Sequence, residues 1–155
     1  MTSSFPDSSS MPLLELRSPV NRFGYAYWNT KRGERRMPTR NDIDPGEIKK
    51  ILPNIILLDV KQESLDFRYR LIGTDMDEHM LDRYTGKWMS EIDHQKPPSC
   101  IWTSCKWVVE MRLPLSSRIP YVGRNKEFIT TEDLIMPLSQ DDQTVEMLFV
   151  TVGFT

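Results

Sequence analysis

Two stretches of the chain, residues 55–60 (IILLDV) and 145–152 (VEMLFVTV), carry apolar side chains at nearly every position. Because the side chains of a strand alternate between two faces, such runs predict strands that are buried on both sides. Residues 67–72 (FRYRLI) and 127–133 (EFITTED) instead carry charged or hydroxyl groups, which is typical of strands with one exposed face. The two apolar strands are therefore expected to be neighbours at the centre of one sheet.

The segment before the first strand predicts two helices. Ser and Pro at residues 18–19 are typical of a helix start and Gly33 of a helix end, so residues 19–32 are expected to form an amphipathic helix. The sequence DPGE at residues 44–47 is a second start signal, in which the Asp caps the helix and the Glu reaches back to the cap. It predicts a short helix that ends before Pro53.

The rest of the chain predicts a helical middle and a meander of strands. Thr74 and Asp77 are typical of the start of a short helix that runs to about Leu81. Pro-Pro-Ser at residues 97–99 precedes apolar residues at helical spacing, which predicts a longer helix to about Arg112. Strands are expected to follow at residues 118–123, 127–138 and 144–152.

These elements predict an α+β fold around a five-stranded antiparallel sheet. With the two apolar strands at the centre, the strand order is 2-1-5-4-3 and the helical middle crosses one face of the sheet. The opposite face needs a cover, which either the N-terminal helix or a second copy of the chain can provide. The residues expected at this interface are Phe23, Tyr27, Trp28, Leu57, Leu148 and Val150.

The same pattern predicts the domain organisation. Residues 1–17 are rich in Ser and Pro and hold few large apolar side chains, so they are expected to form a disordered tail. Residues 18–155 are expected to fold as one domain. Its N-terminal helices lie within residues 19–52, and its sheet and helical core within residues 55–152.

Composition and motifs exclude several classes of function. With 20 Lys and Arg against 22 Asp and Glu, the net charge is -2, and nucleic-acid binding is not expected. The longest apolar run, MLFVTVGF, is too short to cross a membrane, and the absence of a secretory signal predicts a cytoplasmic protein. Cys100 and Cys105 are expected to be reduced thiols. The usual motifs of enzymes and metal sites are missing, so neither catalytic residues nor metal ligands are predicted.

Several motifs, in their order along the chain, resemble a family of short bacterial PAS proteins. They are YWNTKRGERRMPTRNDIDPGEIKKILPNIILLDV from residue 27, FRYRLIGT from residue 67, TGK from residue 85 and IMPLSQDDQTVEMLF from residue 135. The resemblance covers roughly residues 24–150, and between residues 82 and 99 it is limited to Gly86 and the basic residue after it. It implies a PAS fold and a non-catalytic sensory or regulatory domain, often dimeric, that binds a small molecule or a signalling partner.

A ligand pocket is expected between the third helix and the inner face of the sheet. The strand pattern predicts that it is lined by Leu58, Tyr69, Trp102, Cys105 and Phe149. The alternative is a ligand-free module, in which the apolar outer face and the N-terminal helix form a homodimer or bind a protein partner.

The sequence does not identify a cofactor. His79 follows a run of acidic residues and is expected to be a solvated surface residue rather than a ligand of haem or metal. Cys105 is expected to be a small buried thiol, because the Asn-Cys-Arg-Phe-Leu-Gln motif of light-sensing PAS domains, which form flavin adducts, is missing. Haem and flavin are therefore disfavoured.

A basic segment, KRGERRMPTR at residues 31–40, offers nucleotide binding as a lower-ranked alternative. The acidic residues that follow it favour an ion-paired turn, in which Arg40 has a structural role.

The first two strands are expected to form a hairpin with a defined register. The predicted pairs are Val60 with Phe67, Asp59 with Arg68, Leu58 with Tyr69 and Leu57 with Arg70. This register makes Arg68 a charge partner of Asp59 and turns Tyr69 toward the pocket.

Overall fold

The computed structural model describes residues 14–124 and 130–154. Its helices are α1 (Pro19–Arg32), α2 (Thr74–His79) and α3 (Cys100–Met111). Its strands are β1 (Ile55–Lys61), β2 (Asp66–Ile72), β3 (Leu115–Pro120), β4 (Thr130–Leu138) and β5 (Met147–Phe154). Its 3-10 turns cover Arg40–Asp42, Pro45–Glu47, Leu52–Asn54 and Met89–Glu91. The strands form an antiparallel sheet in the predicted order, β2-β1-β5-β4-β3. Residues 1–13 of the expected tail and residues 127–129 of the expected fourth strand lie outside the described residues.

Burial explains why β1 and β5 occupy the centre of the sheet. Residues 55–58 and 148–153 are buried without interruption, as their apolar runs predicted. The expectation that β4 has an exposed face is wrong, because residues 131–138 are also buried throughout. The acidic side chains of Glu132 and Asp133 therefore lie inside the protein, on opposite faces of the sheet.

The pairing of β1 with β5 corrects the predicted facing of β5. Leu57 pairs with Phe149 and Leu58 with Leu148, and paired residues share a face of the sheet. Phe149 therefore lies on the face that α1 covers, the α1 face, while Leu148 and Val150 lie on the opposite face, the α3 face. The sequence interpretation had these positions reversed. Since β5 is apolar at nearly every position, its pattern does not specify which residues point to which side.

Helix α1 covers one face of the sheet within the same chain. The Trp28 Nε1–H donates to the backbone oxygen of Pro137 at 2.9 Å, and the Thr151 hydroxyl donates to Asn21 Oδ1 at 2.7 Å. Among the expected interface residues, Trp28, Leu57, Leu148 and Val150 are thus buried inside one chain, whereas Phe23 and Tyr27 are partly exposed. An interface at Trp28 and Leu57 requires α1 to leave the sheet, whereas Leu148 and Val150 lie on the α3 face, which α1 does not cover.

Gly24 sets the distance between α1 and β5. A Cβ at this position would lie 2.8 Å from Thr151 Cγ2 and 3.0 Å from Thr151 Oγ1, and Thr151 is held by its bond to Asn21. Gly24→Ala is therefore expected to lower the free energy of unfolding by about 1–3 kcal/mol, although Ala is the better helix former.

Denaturant unfolding tests this expectation, with two further variants for comparison. Ala26 is exposed on the same helix, so Ala26→Gly reports the propensity effect alone, about 1 kcal/mol. Thr151→Ser removes the clashing methyl group and is expected to relieve part of the loss when it is combined with Gly24→Ala. A Gly24→Ala protein more stable than wild type would show that α1 does not sit this close to β5.

The β1–β2 hairpin follows the predicted register at three of four pairs. Val60 pairs with Phe67, Asp59 with Arg68 and Leu58 with Tyr69, but Leu57 pairs with Leu71 because a bulge lies between Leu57 and Leu58. Arg70 consequently reaches Asp59, with Nε 3.2 Å from Oδ1, and Arg68 contacts the same carboxylate at 3.0 Å. Both arginines of the strand are thus ion-paired with Asp59.

The short helices differ in detail from the prediction. The DPGE segment forms a single 3-10 turn, in which the Asp44 side chain accepts from the Gly46 N–H and Glu47 contacts Lys31 and the Tyr27 hydroxyl instead of the cap. Helix α2 ends at His79 rather than Leu81. The cap of α3 is Ser99, as the Pro-Pro-Ser signal predicted, whereas β3 begins three residues before the predicted strand.

Candidate functional site

A cavity of about 230 Å³ lies on the α3 face of the sheet. Its floor comes from the central strands and its walls from the helical middle, between α2 and the start of α3. The lining side chains are mostly apolar. They are Ile56, Leu58, Tyr69, Met76, His79, Met80, Tyr84, Met89, His94, Gln95, Ser99, Cys100, Ile101, Ile119, Pro120, Tyr121, Val122, Thr131, Asp133, Val150, Val152 and Phe154.

Side chains that alternate along the central strands β1 and β5 form the floor of the cavity. Ile56 pairs with Val150 across β1 and β5, so both side chains project from the same face into the cavity. Met76, Met80 and Met89 project from the helical middle on the other side. Methionine side chains are flexible and polarizable, so this wall adapts to the shape of a bound molecule.

Tyr69 supplies a buried polar group to the cavity. Its hydroxyl donates to Gln95 Oε1 at 2.6 Å, and its ring lies 6.2 Å from that of Tyr84. Burial raises the pKa of Tyr69 well above its usual value of 10.0. The side chain is therefore a neutral hydrogen-bonding group at every physiological pH.

Asp133 places a carboxyl group in the same cavity. Its side chain is buried, at 7% exposure, and the Thr131 hydroxyl donates to its Oδ1. Burial raises the pKa of Asp133 to about 7, against the effect of the Thr131 hydrogen bond, and the nearby charge of Glu132 raises it further. Near neutral pH the cavity therefore holds a carboxyl group that is divided between its neutral and charged forms.

Histidine and aromatic rings form one end of the cavity. His79 Nδ1 lies 3.0 Å from the Tyr121 hydroxyl, and its ring stacks on Phe154 with centroids 4.1 Å apart. The expectation that His79 is a solvated surface residue is wrong, because α2 ends against Tyr121, which directly follows β3, and against Phe154 at the end of β5. His94 also lines the cavity, and burial lowers the pKa of its imidazole below 6.5.

The structure brings two of the five predicted pocket residues to the cavity, Leu58 and Tyr69. Cys105 is buried beside the cavity, where burial and then the charge of Asp133 raise the pKa of its thiol. Trp102 packs edge-on against Phe67, and Phe149 faces α1. Whether Leu58 and Tyr69 contact a ligand stays a prediction.

The sequence analysis did not predict that Asp133 and the three methionines of the wall line the cavity. It also did not predict the contacts of His79 with Tyr121 and Phe154. One available signal was the acidic pair at residues 132–133 next to the apolar run LIMPL. Adjacent strand residues point to opposite faces, so one acid of the pair had to face the helical middle. In the part of the chain described here, no group of three His, Cys, Asp or Glu side chains is arranged to hold a metal ion.

The basic segment at residues 31–40 is engaged in contacts within the chain. Lys31 contacts Glu47 at 2.8 Å and Arg35 contacts Asp42 at 2.9 Å. The Arg40 guanidinium donates to the backbone oxygen of Ile43. These contacts agree with the ion-paired turn and leave the nucleotide alternative without a contact that favours it.

The family model described as PAS domain matches residues 16–152, which is most of the chain. The protein therefore belongs to the PAS domain family, whose members are signalling and sensory modules and are generally non-catalytic. A search of curated proteins found no match. None of the helices within residues 14–124 and 130–154 is long and apolar enough to span a membrane.

Proposed function

We propose that this PAS domain is a sensor whose cavity binds a small, largely apolar molecule. The observation that carries the proposal is the cavity itself, which lies between otherwise buried core elements and is lined by apolar side chains with a few polar groups. This combination is typical of ligand sites, where apolar contacts supply affinity and polar groups fix orientation.

The size of the cavity limits the ligand. An apolar cavity of about 150 Å³ accommodates benzene, whereas sites for drug-sized molecules start at about 300 Å³. At about 230 Å³, this cavity fits a molecule of one ring with a short substituent, or an aliphatic chain of similar volume.

The alternative role as a ligand-free dimer or partner-binding module has less support. It relied on an uncovered apolar face, and α1 of the same chain covers that face. A partner that receives the signal is part of the proposed sensory role. The free thiols of Cys100 and Cys105 agree with a cytoplasmic setting for that role.

Filling the cavity tests the proposal. Val150 is buried and faces the cavity from β5, so Val150→Phe places a ring where the ligand is expected. Val109 lies on α3, is partly buried and is not among the lining residues, which makes Val109→Phe a control of equal size. Circular dichroism establishes that each variant is folded, and Met80→Trp at the wall of the cavity serves as a second filling variant.

Native mass spectrometry of freshly purified protein gives the readout. We expect wild type and Val109→Phe to retain a small molecule, and Val150→Phe and Met80→Trp to carry no ligand. Equal retention in all four proteins would place the molecule outside the cavity. Bare wild-type protein that no small apolar compound stabilises against heat would argue against a sensor of this kind.

A further inference from the structure

We propose that the ligand is a small amine, with an apolar body on the strand floor and a protonated amino group against the carboxylate of Asp133. This inference rests on the proposed function of the cavity and adds the chemical class of its ligand. It assigns Asp133 as the residue that selects the ligand.

Asp133 has open hydrogen-bonding capacity on the side of the cavity. The side chain is 7% exposed and lines the cavity. Among the described side chains, Thr131 donates to Oδ1, and Oδ2 has no donor. A buried carboxyl group with unused acceptor capacity is costly, and a ligand that donates to it offsets that cost.

The charge of the cavity lining also favours a cationic ligand. The described residues around the cavity include Asp133 and two histidines but no Lys or Arg. An anionic ligand would meet the Asp133 carboxyl group without any fixed positive charge in the lining. A cationic ligand, in contrast, supplies the counter-charge that the cavity lacks.

The walls of the cavity are rich in aromatic rings. Rings of Tyr69, Tyr84, Tyr121 and Phe154 line the space that the ligand occupies. Aromatic faces attract ammonium groups, and the attraction is stronger where water is excluded. The apolar floor of Ile56 and Val150 then receives the body of the amine.

The protonation state of Asp133 makes binding depend on pH. The ionisable groups around its carboxyl are Tyr69 from β2, Cys105 from α3 and Glu132 from β4, and His79 and His94 line the same cavity. Tyr69 and Cys105 are neutral near pH 7, because burial raises the pKa of both groups. An ammonium ion that pairs with Asp133 must displace its proton when the pH is below about 7. Affinity is therefore expected to fall by up to about tenfold for each pH unit below that value.

Two probes of nearly equal shape test the inference by calorimetric titration at pH 8. Phenethylamine carries the ammonium group, and 2-phenylethanol replaces it with a hydroxyl group. We expect wild type to bind the amine at least about tenfold more tightly than the alcohol, as for a hydrogen bond between charged groups. Asp133→Asn keeps the shape of the side chain but removes the charge, and is expected to abolish this preference.

Glu132→Gln is the matched control. It changes the neighbouring buried carboxylate, which faces α1 and accepts hydrogen bonds from the backbone N–H groups of Arg17 and Ser18. This variant is expected to be less stable than wild type but to keep the preference for the amine. The pH dependence of wild type provides a second readout that needs no variant.

The outcomes separate this inference from the proposed function. Equal affinity for the two probes in wild type, or an amine preference that survives Asp133→Asn, would overturn the amine inference and leave the cavity as a binding site. Affinity for the amine that is constant between pH 5 and pH 8 would also overturn it. Binding of neither probe to wild type would contradict both proposals.

Discussion

Trp28→Ala is expected to lower the free energy of unfolding by about 3–5 kcal/mol, because it removes the largest side chain between α1 and the sheet. Trp28 has no exposed surface. Its indole N–H donates to Pro137, its ring stacks on Tyr25 at 6.3 Å, and the Arg32 guanidinium lies 6.0 Å from the ring. Ala would leave a large void and an unpaired backbone oxygen in its place.

Urea unfolding of three variants separates these contributions. Trp28→Phe keeps most of the ring and loses the hydrogen bond, so a loss of about 1–3 kcal/mol is expected. Trp107 on α3 is 39% exposed, and Trp107→Ala is expected to cost less than about 1 kcal/mol. If Trp28→Ala cost no more than Trp107→Ala, α1 would not be packed on the sheet as described.

Asp133→Asn is expected to stabilise the protein at pH 8 by about 2–4 kcal/mol, the opposite of the usual effect of a core substitution. Burial raises the pKa of Asp133 from 3.8 to about 7, and each pH unit corresponds to about 1.4 kcal/mol. Holding this group charged in the fold therefore costs about 4 kcal/mol above pH 7. Asn avoids this cost, and its amide oxygen can still accept from Thr131.

The stability of the folded protein depends on pH in the direction that the raised pKa of Asp133 sets. Between pH 3.8 and about 7, the folded protein keeps the proton on Asp133 and the unfolded chain releases it, so stability falls as pH rises. Below pH 3.8 both states are protonated and the difference between the two proteins is small. His94 acts in the other direction below pH 6.5, because burial lowers its pKa, but its contribution is common to wild type and variant.

Urea midpoints measured from pH 4 to pH 8 test this prediction. The difference between Asp133→Asn and wild type should grow through this range and level off above pH 7. Asp141→Asn is a useful contrast, because backbone N–H groups of Thr144 and Gln143 lower the pKa of that exposed carboxyl to about 2. A difference for Asp133→Asn that stays constant with pH would show that Asp133 titrates normally.

The order of the strands was predictable because the residue types of a strand indicate which of its faces are buried. Strands that are apolar on both faces must lie inside a sheet, and β1 and β5 have this pattern. The start of α1 was equally predictable, since a Ser cap followed by Pro is a local signal that tertiary contacts do not change.

The facing of β5 and the contents of the cavity were not predictable in the same way. Every residue from Met147 to Val150 is apolar, so either alternation of β5 satisfies the core, and only its pairing with β1 decides between them. The bulge in the hairpin shifted Leu57 by one position, which composition does not indicate. The side of the sheet that Tyr69 faces was predictable because Tyr69 lies between two charged arginines in its strand. The position of Asp133 was not predictable, because its strand is buried on both faces.

Occupation of the cavity by a small molecule is tested most directly by NMR of protein labelled with ¹³C at the methionine methyl groups. Met76, Met80 and Met89 line the cavity, while Met37 and Met136 are buried elsewhere in the core. Titration with phenethylamine and 2-phenylethanol is predicted to shift the first three methyl resonances along one saturable curve for each bound probe and to leave the other two in place. If neither probe shifted the three cavity methyls, or if Met37 and Met136 moved equally, a ligand site between the sheet and the helical middle would be contradicted.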